Sequence, residues 1–282
     1  MFGGLFGPRQ IDKSNVDRMR QESPRRISFA YAHKNQPKRS SGPGYVGSFS
    51  VPFSETISEI FRIDTDFQLY LSNYGGYWLS IRSEEEFTAI EAWTQRQGTR
   101  FFLRDCLDLS VALDQNFTDN VNRQYTTVGA LEARAKTAPD QDALNQLTDR
   151  FVAAIRDLPG YRDAPLIAAV PPRPGKSYDL PSALAQRISG ALGIADLTPR
   201  FAFTEQKRTV KDCTVDEKWQ AWQDAGLALS AELERSPNVI LIDDKYQSGI
   251  SLQFVASRLL AAGAGRVFGM CAVKTLGDDD NQ

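Results

Sequence analysis

The run Val239-Ile240-Leu241-Ile242-Asp243-Asp244-Lys245-Tyr246-Gln247-Ser248-Gly249-Ile250-Ser251 gathers two adjacent carboxylates, a glycine and two serine hydroxyls within thirteen residues. Four apolar residues precede the acids, so Val239–Ile242 predicts a buried strand with Asp243 and Asp244 at its carboxyl end. Open α/β sheets hold their ligands there. Gln247 to Ser251 (Gln247, Ser248, Gly249, Ile250, Ser251) predicts a turn that leads into a helix over Leu252–Ala262. Free N–H groups and the helix dipole at such a start favour a phosphate. Carboxylates accept hydrogen bonds from vicinal hydroxyls. Acids placed just before a phosphate-binding turn therefore suit a ribose 5-phosphate.

The elements that must position this run alternate in kind. Asp140–Leu158 places Leu144, Leu147, Phe151, Val152 and Ile155 on one helical face, and Leu166–Val170 is a short apolar strand. Leu180–Leu192 is helical, and Val215–Asp224 is a second helix opened by a Thr214–Glu217 capping box. Val267–Val273 gives a third buried strand after the break at Gly263. Helices between short apolar strands predict an α/β domain with a parallel sheet over residues 123–282.

A rival reading takes Leu166–Val170 and Pro171-Pro172-Arg173-Pro174-Gly175-Lys176-Ser177 as a phosphate-binding P-loop. That pattern requires glycine where the chain has Val170. Pro171, Pro172 and Pro174 also lack N–H groups just where backbone donors would have to cradle phosphate.

The order of four apolar residues, Asp-Asp, three residues, Ser-Gly-x-Ser resembles the 5-phosphoribosyl 1-pyrophosphate (PRPP) motif of type I phosphoribosyltransferases. The chain from Tyr125 to Thr275 is similar to the ComF-type (competence protein F-like) members of that class. Leu131–Ile155 resembles their leading helical region, and Ala168-Ala169-Val170-Pro171 their first strand with its proline exit. Thr204-Glu205-Gln206-Lys207-Arg208, the helix holding Lys218 and Trp219, and Gly226-Leu227 resemble their hood. Ser248 and Ser251 stand where threonine is commoner, and Lys245 and Gln247 replace an apolar residue and a hydroxyl. The segment after the first strand is shorter than in the family, and the family's cysteine-rich N-terminal zinc module is missing.

The resemblance implies that Asp243 and Asp244 hold the ribose hydroxyls, directly or through water on Mg²⁺, and that Gln247 to Ser251 hold the 5-phosphate. It makes Arg173 and Lys176 candidates for neutralising pyrophosphate, with Mg²⁺ as the cofactor, and Lys207 and Arg208 candidates for a closing loop with a catalytic role. The implied ligand is PRPP or a related ribose 5-phosphate compound. Phosphoribosyl transfer to a base or nucleotide-like acceptor, non-catalytic sensing of PRPP or a nucleotide, and a nucleic-acid-associated factor all stay open, because fold does not fix function.

The residues ahead of this domain read differently. Residues 1–45 hold nine Lys/Arg against three acids, a net +6 in a chain of net −2, with no sustained apolar period. They predict a flexible basic arm able to dock on nucleic acid or an acidic protein. Residues 46–122 predict a small α+β module. Phe67–Ser72 and Tyr77–Ile81 form its hairpin around Asn73-Tyr74-Gly75-Gly76, and Ser83 with Glu86 caps its helix. Its aromatics Phe67, Tyr70, Tyr74, Tyr77 and Trp78 are expected in the core more than on a base-stacking platform.

The single histidine, His33, and the widely spaced Cys106, Cys213 and Cys271 exclude a Cys/His zinc site and a disulfide framework. No apolar run reaches the ~20 residues of a membrane span, and the start lacks a signal-peptide pattern. Cytoplasmic placement and no membrane partner are the expectations.

Overall fold

The structure is a computed structural model that describes residues 11–119, 121–137, 140–206 and 213–276. The first half contains α1 (Lys13–Gln21), β1 (Arg26–Ser28), β2 (Lys38–Gly42), β3 (Tyr45–Val51), α2 (Ser58–Thr65), β4 (Tyr70–Leu71), β5 (Tyr77–Ile81), α3 (Glu84–Arg96), β6 (Phe101–Leu103) and β7 (Leu109–Gln115). After it come α4 (Thr127–Thr137), α5 (Gln141–Asp157), β8 (Leu166–Ala169), α6 (Leu180–Leu192), β9 (Ala195–Asp196) and β10 (Phe201–Ala202). The chain continues through α7 (Val215–Asp224), β11 (Ala228–Leu229), β12 (Asn238–Tyr246), α8 (Ile250–Ala261) and β13 (Arg266–Lys274).

Seven strands form one mixed sheet in the order β1-β6-β7-β13-β12-β8-β9. From β7 to β9 all neighbours run parallel, while β6 and β1 add antiparallel pairs at the far edge. The α/β class expected from the alternation is present. The sheet is not confined to residues 123–282, however, because β7 pairs directly with β13 and β1 closes on β6. All seven residues of β7 are buried, so this strand needs neighbours on both sides and both faces. The expected boundary at 122/123 therefore does not separate two cores.

Alternation along β12 divides the layers. Ile240 and Ile242 face a core shared with α4, α5 and α6, whereas Val239 and Leu241 face α1, α7 and α8. A smaller antiparallel sheet, β2-β3-β5-β4, joins the first of these cores together with α2 and α3. The hairpin expected around Gly75-Gly76 is there, with Tyr70 opposite Trp78, although β4 is only two residues long. Tyr77 and Phe67 pack against the core, but Tyr70, Tyr74 and Trp78 are 58%, 100% and 41% exposed, which corrects the core expectation for those three. They lie on the hairpin tip and on the sheet face opposite the inward Leu79 and Ile81.

Residues 11–45 are folded, contrary to the expectation of a flexible arm. Asp12 caps α1 by accepting the Asn15 N–H, and Val16, Ile27 and Phe29 are essentially fully buried. Phe29 lies edge-on to Trp93 at 5.2 Å and to Phe102 at 6.0 Å. Much of the segment's basic charge is spent inside the fold. Lys13 pairs with Asp17 and Asp216, Arg39 with Glu84, and Arg26 donates to the carbonyls of Thr275 and Leu276. A few isolated apolar residues suffice when the rest of the fold supplies their partners, a signal that periodicity within the segment does not carry. Among the described residues no helix is long and apolar enough to cross a membrane.

Candidate functional site

β12 extends past its apolar core, so Asp243 and Asp244 ride on its carboxyl end before the chain turns at Gln247–Gly249 into α8. Its neighbour β8 ends four residues short of it: Ala169 faces Ile242, and the Val170 N–H donates to the Ile242 carbonyl at 2.9 Å, whereas β12 runs on to Tyr246 beside β13. The segment after β8 thus leaves the sheet beside the acid pair, at the edge where parallel strands present their ligands.

Gly249 makes the turn possible. It sits at the N-cap of α8 with φ +73°, a conformation that costs other residues. A Cβ there would lie 2.4 Å from the Tyr246 hydroxyl, which is itself fixed by donating to Asp105 Oδ2 at 3.0 Å. Gln253 clamps the same turn. Its Nε2 donates to the Gly249 carbonyl and its Oε1 accepts the Cys106 N–H. The first main-chain bond into the helix runs from the Gln253 N–H to the Gly249 carbonyl, so the N–H groups of Ile250, Ser251 and Leu252 have no intrahelical acceptor.

A cleft of about 140 Å³ opens on this turn, lined by Asp243, Lys218 and the run 245–252. The structure therefore brings together Asp243, Gln247, Ser248, Gly249, Ile250 and Ser251, as the motif requires. Asp244 adjoins it on the strand. Arg173 and Lys176 line a different cleft of about 270 Å³ with Pro174, Gly175 and Gln206. Lys207 and Arg208 lie outside the described residues. Lys176 is held 3.0 Å from Asp179, the N-cap of α6, and α6 begins four residues beyond the lysine. A P-loop lysine would sit on the phosphate-binding turn as the helix starts, so the geometry also disfavours that rival.

The acid pair is not symmetric. Asp244 Oδ2 is 2.5 Å from Lys136 Nζ, near the end of α4. Lys136 also lies 3.4 Å from Glu132, a buried carboxylate that reaches Lys245 at 3.5 Å. Burial opposes the charge on Lys136, but Asp244, Glu132 and Asp243 outweigh it and hold the ammonium above the ordinary lysine range. Among the described residues Asp243 accepts only the Asp244 N–H, at 2.9 Å. Burial, then the neighbouring charge of Asp244, push its carboxyl well above the usual range, while Lys136 pulls the other way. Two like charges one residue apart cannot both ionise freely.

This asymmetry has a measurable sign. A carboxyl whose folded pKa is raised keeps its proton in the native state when the unfolded chain has lost it. Stability therefore falls as pH rises from the ordinary carboxylate value near 4 toward the folded pKa. Asp243→Asn is expected to raise the thermal midpoint at pH 7 by a few degrees, in the ~0.5–2 kcal/mol range typical of relieving a functional-site penalty. The gain should shrink toward zero near pH 4, as thermal melts across pH 4–8 would show. A variant less stable than the parent at pH 7 would refute the assignment of the penalty to Asp243.

The resemblance implies magnesium, and the donor set decides how it could be held. Asp244 is engaged by Lys136, and Asp243 by a backbone N–H. Among the described residues no three His, Cys, Asp or Glu side chains converge. This does not fit an ion held by the protein's own ligands, for which several oxygens are needed.

Three site residues had no site role from the sequence, where Lys218 served only to mark a helix of the hood resemblance. Lys218 sits on the buried face of α7 between Val215 and Trp222, and Glu132 on that of α4 beside Leu131. A charge placed within an apolar stripe is a readable signal of an internal electrostatic role. Lys136 offered no such signal, since its partner Asp244 is more than a hundred positions away. No known family model matches this chain, and neither does any curated protein.

Proposed function

We infer that the cleft at the carboxyl end of β12 binds a ribose 5-phosphate compound, PRPP foremost, and that the chain acts as a phosphoribosyltransferase of type I character. The observation that carries this reading is the single cleft lined by both the acid strand end and the uncapped start of α8. A carboxylate accepts hydroxyl hydrogen bonds, and a helix N-terminus accepts a phosphate, so the two ends of a phosphorylated pentose are both provided for.

In transfer, the bond from ribose C1 to the pyrophosphate oxygen breaks and its electron pair leaves with pyrophosphate. A lone pair on the acceptor forms the new bond to C1, and any proton the acceptor sheds goes to solvent or to the departing pyrophosphate. Positive charge develops on the sugar beside Asp243, the acid that lines the cleft, and its ionised form favours the transition state electrostatically. The cleft of Arg173 and Lys176, reached from the neighbouring strand, offers cations for pyrophosphate. Magnesium belongs to this reading as the counter-ion that PRPP brings on its pyrophosphate.

The test is calorimetric titration of PRPP and of ribose 5-phosphate with Mg²⁺ into the parent and into the double variant Asp243→Asn/Asp244→Asn. Losing charge-assisted hydrogen bonds worth ~1.5–3 kcal/mol should weaken both ligands about ten- to a hundredfold. Identical affinities would remove the acids from the site. Release of pyrophosphate in the presence of a base acceptor would separate transfer from mere binding.

A further inference from the structure

α7 turns two side chains, four residues apart on one face, toward the first turn of α8. Trp222 donates its indole N–H to Ser251 Oγ at 3.2 Å, and Lys218 lines the cleft beside Ser248 and Gly249. Lys218 is only 8% exposed, and among the described residues its ammonium has neither a hydrogen-bond nor an ion-pair partner. The other lysine of the cleft, Lys245, is directed to Glu132 instead. The Lys218 Nζ is not sealed from solvent but opens onto the cleft, where an anion would compensate the charge. The same cleft holds the start of α8, which carries about half a positive charge and N–H groups without intrahelical acceptors.

We propose that Lys218 and the first turn of α8 form an anion site for the terminal phosphate of a phosphomonoester, with Lys218 as the residue that sets this selectivity. A monoester presents three terminal oxygens and close to two negative charges near neutral pH. One ammonium, one helix end and several N–H donors match that demand. A phosphodiester, with one charge and two free oxygens, leaves part of it unmet. The sugar-phosphate identity of the ligand rests on the reading above, whereas the anion site stands on Lys218 and α8.

Calorimetry on the full chain separates the two. Inorganic phosphate, ribose 5-phosphate and dimethyl phosphate are titrated at low and moderate salt into the parent, Lys218→Met, Lys218→Arg and Asp243→Asn/Asp244→Asn. Ribose 5-phosphate should bind Lys218→Met about ten- to a hundredfold more weakly, with a shallower salt dependence, and Lys218→Arg within a few-fold of the parent. Dimethyl phosphate should bind the parent far more weakly than inorganic phosphate. Thermal melts verify folding, which the unbranched apolar methionine preserves at this buried position. Equal affinity of the parent and Lys218→Met for ribose 5-phosphate overturns the inference and leaves the ribose 5-phosphate reading standing. Lys218-dependent phosphate binding with no contribution from Asp243 and Asp244 sustains the anion site and overturns the ribose reading. A parent that binds none of the probes overturns both.

Discussion

A chain that starts at Val46 is expected not to fold. Removing residues 1–45 takes away α1, β1 and β2, and with them the fully buried Val16, Ile27 and Phe29. At ~1.5–3 kcal/mol per buried apolar side chain, these three alone amount to roughly 5–9 kcal/mol. Total stability for a domain is only about 5–15 kcal/mol. The truncation also strips the ladder from β6, whose Phe101, Phe102 and Leu103 pair with Ser28, Ile27 and Arg26. That edge would then be open to pairing with other chains. Thermal unfolding followed by circular dichroism, with sedimentation to detect aggregates, is the measurement. A cooperative transition near the parent's midpoint would show that the segment is dispensable after all.

Gly249→Ala should be the most damaging single methyl group in the site. The substitution forces a side chain into the left-handed region, costing ~1–2 kcal/mol, and sets its Cβ 2.4 Å from the Tyr246 hydroxyl and 2.5 Å from Cζ. Tyr246 cannot swing away, since it is buried and bonded to Asp105. Overpacking adds a further ~1–3 kcal/mol, for a total of roughly 2–5 kcal/mol. The strain falls on the turn that aims the α8 N–H groups, so phosphate affinity should drop along with the thermal midpoint. Gly193→Ala is the matched control. Its φ is +69° at the end of α6, yet a Cβ there meets nothing within 4 Å. It should show the backbone cost alone. Equal losses in the two variants would mean that the contact with Tyr246 is absent.

Much of the frame around the site was readable because its signals are local. Apolar runs marked β8, β12 and β13, and Ser83–Glu86 and Thr214–Glu217 are both realised as caps at helix starts. The Asp243–Ser251 run falls at a strand end and a helix start as its residue types demand. What escaped was set by tertiary partners. Val16 and Ile27 lack a periodic neighbourhood, and their burial is decided by α7, α8, β6 and the aromatic cluster around Trp93. Tyr70 and Trp78 have the composition of core residues, and only their register on the outer face of a two-faced sheet makes them exposed. The asymmetry of Asp243 and Asp244 depends on Lys136, brought in by α4 from another part of the chain.

The place of β13 in the sheet governs how the molecule must be assembled. This strand lies between β7 and β12, with Phe268 opposite Leu109 on one side and Ile240 on the other. Among the described residues it is the last strand along the chain, yet it occupies the middle of the ladder. During synthesis β7 and β12 emerge with a gap between them, and the sheet closes only when the final strand slots in. Such non-local pairing gives high contact order, so folding is expected to be slow relative to chains of similar size. Until then the apolar edges of β7 and β12 stand open to misassembly.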